Sequence, residues 1–197
     1  MSFRKEIKFC LNKAKIQEFI EWIQKRGAKK IYQERIINSI YFDNSQLLMY
    51  HDSVEGIIPR KKIRLRSYNK KKDYFIEKKI SSPEGRFKLS KHFINHYNLF
   101  KKGIIDNQYG ICKPKIIVSY VRNYFSFKSF RITLDKNIRY SKFNINLNSN
   151  IKIKDNEFVA EVKGINLNQD FLDHNFPFIS SRFSKYCRGI DLIYKFN

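Results

Sequence analysis

The sequence predicts a mainly β domain of the α+β class: a closed antiparallel β-barrel tunnel with a charged lumen and helices packed outside. Three observations carry this expectation. Alternation at period two recurs along much of the chain, the mark of strands with two unlike faces. Charged side chains fill one parity of those strands and apolar side chains the other. The segments with helical periodicity are few, and they are amphipathic enough to cover the apolar parity.

Residues 3–11 alternate as a strand, and Asn12 then opens a helix over 13–26 in which Ile16, Phe19, Ile20 and Ile23 share one face until Gly27 stops it. Beyond Ile36 the density of β-branched and aromatic residues rises. Residues 36–43, 61–68, 73–80, 115–125, 130–135 and 158–163 read as strands. The short polar link Asn69-Lys70-Lys71-Lys72 predicts an antiparallel hairpin, with its lysines forming a solvated turn. Residues 90–101 read as a weak helix carrying His92 and His96 four residues apart. With no accompanying Glu or third ligand, these read as surface histidines rather than as a metal pair. Residues 103–113 read as a loop and 144–156 as an Asn-rich surface excursion. After Pro177, Ser180 or Ser181 could cap a short helix carrying Arg182, Ser184 and Lys185. No repeat or domain-scale linker intervenes, so a single domain over residues 1–197 is expected.

Composition narrows the function classes. A chain of 197 residues with 42% hydrophobic content can bury one sizeable core. Its 40 Lys+Arg against 18 Asp+Glu give a formal charge of +22, an excess best tolerated beside a polyanion: nucleic acid, an acidic membrane, nucleotides or polyphosphate. Cys10, Cys112 and Cys187 are odd in number and lack C-x-x-C spacing, so neither a disulfide framework nor a zinc site is indicated and a reducing cytoplasm is expected. Nothing resembles a signal peptide, and no stretch approaches the roughly 20 apolar residues of a membrane span, so a membrane link would need a partner.

The placement of charge is more specific than its amount. Glu6 and Lys8 flank Ile7, Arg64 and Arg66 flank Leu65, Glu77 and Lys79 repeat the step, Arg131 and Asp135 bracket Thr133, and Glu161 and Lys163 flank Val162. One solvated sheet face would give the same alternation in any single strand. Such a face usually mixes Thr, Ser, Gln and Lys, whereas Arg-x-Arg and Glu-x-Lys suit phosphate oxygens and metal-bound phosphate. If the apolar parity is covered by helices, the charges face inward. A confined lumen of like charge costs several kcal/mol per unpaired ion until counter-charge arrives, and a triphosphate supplies it. The carboxylates then suit a hard divalent cation, Mg²⁺ or Mn²⁺.

The ordered segments Arg4-Lys5-Glu6-Ile7-Lys8-Phe9, Ser39-Ile40-Tyr41-Phe42-Asp43, Lys62-Ile63-Arg64-Leu65-Arg66-Ser67-Tyr68, Phe75-Ile76-Glu77-Lys78-Lys79, Ser119-Tyr120-Val121-Arg122, Phe130-Arg131-Ile132-Thr133-Leu134-Asp135, Glu161-Val162-Lys163 and Ser181-Arg182-Phe183-Ser184-Lys185-Tyr186 resemble the VTC domain. That domain is the polyphosphate polymerase domain of the vacuolar transporter chaperone type, in the triphosphate tunnel metalloenzyme superfamily. The resemblance runs from about residue 3 to residue 190. It implies an antiparallel tunnel in which the γ-phosphoryl of ATP passes to a growing inorganic polyphosphate chain. By the same resemblance Lys8, Arg64, Arg66, Lys79, Arg131, Arg182, Ser184 and Lys185 bind phosphate. Lys88 takes a further phosphate-binding place for which Arg86 is the alternative. Glu161 binds Mn²⁺ or Mg²⁺, with Glu6 as the carboxylate that could join it, and Lys185 and Arg131 stand closest to the chemistry.

Related tunnel phosphatases begin with Glu-x-Glu-x-Lys, whereas the first position here is Arg4, which favours the polymerase branch. The expected partners are therefore ATP and inorganic polyphosphate, with no specific nucleic acid. Two other readings stay open: a tunnel triphosphatase with water as acceptor, and a non-catalytic module binding polyphosphate or RNA. Against RNA, the aromatic residues mostly alternate into core positions rather than forming a stacking platform.

Overall fold

Asn12 ends the first strand and starts the first helix with one side chain, whose Oδ1 accepts from the backbone N–H of Ala14 (3.1 Å) and Lys15 (2.9 Å). The computed structural model describes residues 5–69, 73–93, 96–145, 152–165, 167 and 176–195. Its elements, in chain order, are β1 (Lys5–Leu11), α1 (Lys13–Lys25), β2 (Lys29–Asp43), α2 (Leu48–Glu55), β3 (Arg60–Tyr68), β4 (Tyr74–Ser82), β5 (Gly85–Phe93), α3 (His96–Lys102), β6 (Ile104–Asp106), β7 (Gly110–Phe127), β8 (Phe130–Lys142), β9 (Ile153–Lys154) and β10 (Phe158–Gly164). A last helix, Lys185–Ile190, runs on into the π-helical Asp191–Lys195. Hydrogen bonding orders the strands β1-β10-β8-β7-β2-β3-β4-β5, with β6 on β7 and β9 on β8. The described registers are antiparallel. The fold is thus mainly β with a few helices. None of those helices, among the described residues, is long and apolar enough to cross a membrane.

Several boundaries differ from the sequence reading. Residues 90–93 belong to β5 rather than to a helix, so His92 stands on a strand while His96 opens α3, and the two do not share a helix face. The expected loop over 103–113 contains β6 and the start of β7. The last helix is capped by Ser184, not by Ser180 or Ser181. The hairpin between β3 and β4 is present as expected, while Lys70, Lys71 and Lys72 lie outside the described residues, as does Arg4.

The chain is organised as two compact units. In the first (residues 1–35, 120–138 and 154–183), the apolar parity of β1, β8 and β10 meets α1: Phe9, Leu11, Ile132, Leu134, Ala160 and Val162 pack with Phe19 and Ile23 in one buried cluster. Phe176 completes it, stacked 5.7 Å from Phe9 and tilted against Trp22 at 4.8 Å. Burying such side chains contributes about 1.5–3 kcal/mol each, and this fixes which parity of the strands is left for charge.

In the second unit (residues 36–119, 139–153 and 184–197), Ile63 and Leu65 are fully buried while Lys62 and Arg64 on the other parity of β3 are half-buried. Asp43, at the end of β2, accepts from the backbone N–H of Met49 and Tyr50 (3.0 Å each) and from Asn44 (2.8 Å). It supplies the amide partners for the start of α2, whose own N-cap residue Leu47 is left-handed and caps nothing with its side chain. The Tyr186 hydroxyl donates to the same Asp43 carboxylate, and burial together with Asp43 pushes the Tyr186 phenol far up. The last helix is therefore tied to α2 through one carboxylate. On the apolar parity Asp106 clasps Lys61 (2.9 Å) and Lys78 (3.3 Å), which gives these two lysines a structural role.

Candidate functional site

Register decides which charges meet. In the first unit Lys8 lies opposite Glu161 and Glu161 opposite Thr133, forming one row across β1, β10 and β8. The neighbouring row is Glu6, Lys163 and Arg131. Lys163 Nζ sits 2.6 Å from Glu6 Oε1 and 3.4 Å from Glu161 Oε1, so one ammonium touches both carboxylates. Lys8 Nζ donates to the Phe183 carbonyl (2.7 Å), tying β1 to the segment ahead of the last helix. That segment is also pinned by Ser181, whose N–H donates to the Lys8 carbonyl (2.8 Å) and whose Oγ accepts from Cys10 N–H (3.0 Å).

Glu161 is 6% exposed. Burial alone would raise its pKa, but Lys163, Glu6 within hydrogen-bonding reach, Lys8 and Arg122 outweigh it and hold the carboxyl well below the usual range. Glu161 is therefore held as a carboxylate anion among these cations. The chemistry of the donor set fits a hard divalent ion, with Glu161 and Glu6 as oxygen donors on adjacent strands. Among the described residues no group of three His, Cys, Asp or Glu forms such a site, so phosphate oxygens and neutral oxygens would fill the remaining positions.

In the second unit the charged parity spans four strands. Tyr41, Arg64, Glu77 and Ser90 form one row, Ser39, Arg66, Phe75 and His92 the next, and Lys62, Lys79 and Lys88 a third. Glu77 is the hub, 2% exposed, with Arg64 Nη2 at 2.6 Å, Lys88 Nζ at 2.5 Å and Arg66 Nη1 at 3.7 Å. Burial raises its pKa, but Arg64, Arg66 and Lys88 reverse the effect and bring it to about 2. Of the two alternatives named from sequence, Lys88 is the one that makes this contact. Directly opposed like charges are unfavourable in a sheet, yet Lys62, Lys79 and Lys88 stand abreast. A bound polyanion would offset that repulsion.

The start of the last helix joins this cluster. Lys62 Nζ donates to Ser184 Oγ (2.9 Å), the oxygen that also caps the helix through Cys187 N–H (3.4 Å). Lys185 is the first residue of that helix and is half-buried. Tyr41 stacks on Tyr186 (5.1 Å) and accepts from Arg64 Nη1 (3.0 Å). Burial raises the Tyr41 pKa, but Arg64, Arg66 and Lys185 outweigh it and bring the phenol below its ordinary value. The phenol thus senses all three cations.

Of the residues singled out from sequence, Lys8, Glu6, Glu161, Arg131 and Arg182 lie in the first unit, and Arg64, Arg66, Lys79, Lys88, Ser184 and Lys185 in the second. Arg131 and Arg182 are exposed and have no charged partner among the described residues. Sequence reading missed four members: Arg122, Tyr41, Lys62 and the hub role of Glu77. Arg122 is held by Asp135 through bonds of 2.5 and 2.7 Å and comes 4.0 Å from Glu161. Its signal was present as the charged end of Ser119-Tyr120-Val121-Arg122, and Lys62 stands two residues before Arg64 on the same parity. The three cysteines form no disulfide, and burial with Asp43 and Asp106 pushes Cys112 up to about 11, which makes it a poor nucleophile.

The strand arrangement is that of known structures. A candidate adenylate cyclase from Bacillus halodurans aligns with a TM-score of 0.60 at 11% identity, covering 98% of this chain and 97% of that one. A candidate adenylyl cyclase from Hippeastrum, reported with a dominant triphosphatase activity, gives 0.57 at 10% identity over 98% and 97%. A candidate adenylate cyclase from Vibrio parahaemolyticus gives 0.55 at 13% identity over 93% and 95%. At such identities the likeness is one of fold. No curated protein matches the chain. The model of the VTC domain matches residues 3–194, nearly its whole length and every charged strand described above; the chain belongs to the VTC domain family.

Proposed function

We propose that the protein is a metal-dependent polyphosphate polymerase that transfers the γ-phosphoryl of ATP to a growing inorganic polyphosphate chain within a basic tunnel. Closure of the strand path into a tunnel is part of this proposal. The observation that carries it is the second unit's charged parity, where Lys62, Arg64, Arg66, Lys79 and Lys88 are set in register around the carboxylate of Glu77. That excess calls for a polyanion, and guanidinium forks bind its oxygens with defined geometry.

Phosphoryl transfer asks little covalent chemistry of the protein, because alignment and charge neutralisation supply most of the rate. In this reading Arg64, Arg66, Lys79 and Lys88 hold the triphosphate, with Lys8, Arg131 and Arg182 as further phosphate contacts. Lys185, placed by the Ser184 cap, offsets charge on the transferring group. The terminal oxygen of the acceptor chain attacks the γ-phosphorus, the bond to the β,γ-bridging oxygen breaks, and the electron pair leaves with ADP. No general base is needed, since the attacking end is already anionic. Glu161, joined by Glu6, would hold Mn²⁺ or Mg²⁺, which supplies charge neutralisation at phosphate oxygens when bound.

The second reading is a triphosphatase, favoured by the activity reported for the Hippeastrum protein of the same fold. The acceptor is then water. ATP and Mn²⁺ with the product sized on a gel separates the two, long chains supporting polymerisation and orthophosphate alone supporting hydrolysis. A pure polyanion-binding module would turn over nothing and would bind with steep salt dependence and no metal requirement. The proposed setting is the cytoplasm, with any membrane association made through a partner.

A further inference from the structure

Thr133 is 1% exposed, and its Oγ1 is buried without a hydrogen-bond partner. Such an orphan is destabilising, a penalty that a folded protein normally avoids by rotating the hydroxyl onto a neighbour. Its surroundings make the position informative. Thr133 lies directly opposite Glu161 in the β8–β10 register, which puts both side chains on one face with Cβ atoms about 4.5–5.5 Å apart. Two residues away along β8, on the same parity, Asp135 is occupied by Arg122, and the next position on the other side is the exposed Arg131. Glu161 itself is shared among Lys163 (3.4 Å) and Arg122 (4.0 Å), with Glu6 in reach. The acidic pair therefore has a neutral, unengaged oxygen at its side.

We infer that Thr133 Oγ1 is an oxygen ligand to the divalent cation held by Glu161 and Glu6. The inference rests on the reading above that this cluster binds such a cation. A hard cation accepts hydroxyl oxygen alongside carboxylate, phosphate and water. A neutral ligand also suits the local charge, because Glu161 is already balanced by cations and a third carboxylate would draw in Lys8 or Arg122 rather than leave room for a metal. The group is a ligand that waits unsatisfied in the metal-free fold and gains its partner only with the ion.

Thermal melts of the full chain test this with Mn²⁺ as the probe, in the presence and absence of tripolyphosphate, for the wild type, Thr133→Val and Thr133→Ser. Val keeps the shape and removes the orphan oxygen, so without ligand its melting temperature should equal or exceed that of the wild type. The Mn²⁺ concentration giving a half-maximal rise should increase about ten- to a hundredfold, with the tripolyphosphate rise in EDTA unchanged. Thr133→Ser should restore the wild-type Mn²⁺ response. A Mn²⁺ response in Thr133→Val equal to wild type overturns the inference and leaves the cation site standing. So does a Ser variant that behaves as Val, and so does a ligand-free Val variant that melts lower, which would mean that the hydroxyl has a structural partner. A wild type with no Mn²⁺ response in either condition overturns the cation site itself, and this inference with it.

Discussion

Arg122 and Asp135 are joined by two parallel hydrogen bonds, Nε to Oδ1 at 2.5 Å and Nη2 to Oδ2 at 2.7 Å, with Asp135 only 1% exposed. The fork geometry fixes the guanidinium plane and aims it at Glu161, so one pair both bridges β7 to β8 and sets the charge beside the proposed cation ligand.

Breaking that pair from one side should be expensive. Asp135→Asn leaves Arg122 buried without its counter-charge, and the expected loss is about 3–5 kcal/mol in denaturant unfolding. Arg131→Gln, at an exposed position with no charged partner among the described residues, should stay within about 0.5 kcal/mol of wild type. Equal effects from the two would mean that the Arg122–Asp135 fork does not form.

Glu77 predicts an acid limb in stability. Its pKa is about 2 in the folded protein against an ordinary 4.5, so the folded state holds fewer protons than the unfolded one between those values. The stabilisation is complete above the unfolded pKa and is lost as pH falls through the folded one. It should amount to about 3 kcal/mol across the window from roughly pH 5 to pH 2. Unfolding free energies measured over that window should fall more steeply for wild type than for Glu77→Gln; superimposable slopes would remove Glu77 from its hub role.

Gly189 sets the position of the last helix. A Cβ there would come 2.6 Å from Ile116 Cδ1 and 2.7 Å from Tyr140 Cδ1, so Gly189→Ala must push the helix off β7 and β8 or distort two buried side chains. Overpacking of this kind costs about 1–3 kcal/mol. The helix carries Lys185, so the variant should also lose turnover out of proportion to its loss of substrate affinity, a kcat effect larger than the KM effect. An unchanged kcat in a destabilised variant would separate the helix from the chemistry.

Much of this arrangement was legible in the residues. Period-two alternation located β1, β3, β8 and β10, because each has one buried apolar face to pin its register, and it located β4, where Ile76 and Ile80 are half-buried and the buried member is Glu77. It failed where both faces are wet: residues 29–36 of β2 are all exposed, and β5 alternates no apolar residues into a core, so its residues from Ser90 onward read as helix. It failed again for α2, whose amide partners come from Asp43 several residues upstream instead of from an adjacent cap. Charge parity identified Arg64, Arg66 and Glu161 directly. It could not reveal that Arg122 turns toward Glu161 or that Lys62 reaches Ser184, since both depend on which strands and helices are neighbours.

The central claim is polymerisation that depends on the cation at the start of the last helix. Purified protein incubated with ATP and Mn²⁺, alongside Lys185→Ala of matched melting temperature, with products sized on a gel, tests it most directly. The expected result is a ladder of long-chain polyphosphate from the wild type and none from Lys185→Ala. Orthophosphate as the sole product of the wild type, or a ladder formed at the same rate by Lys185→Ala, would contradict it.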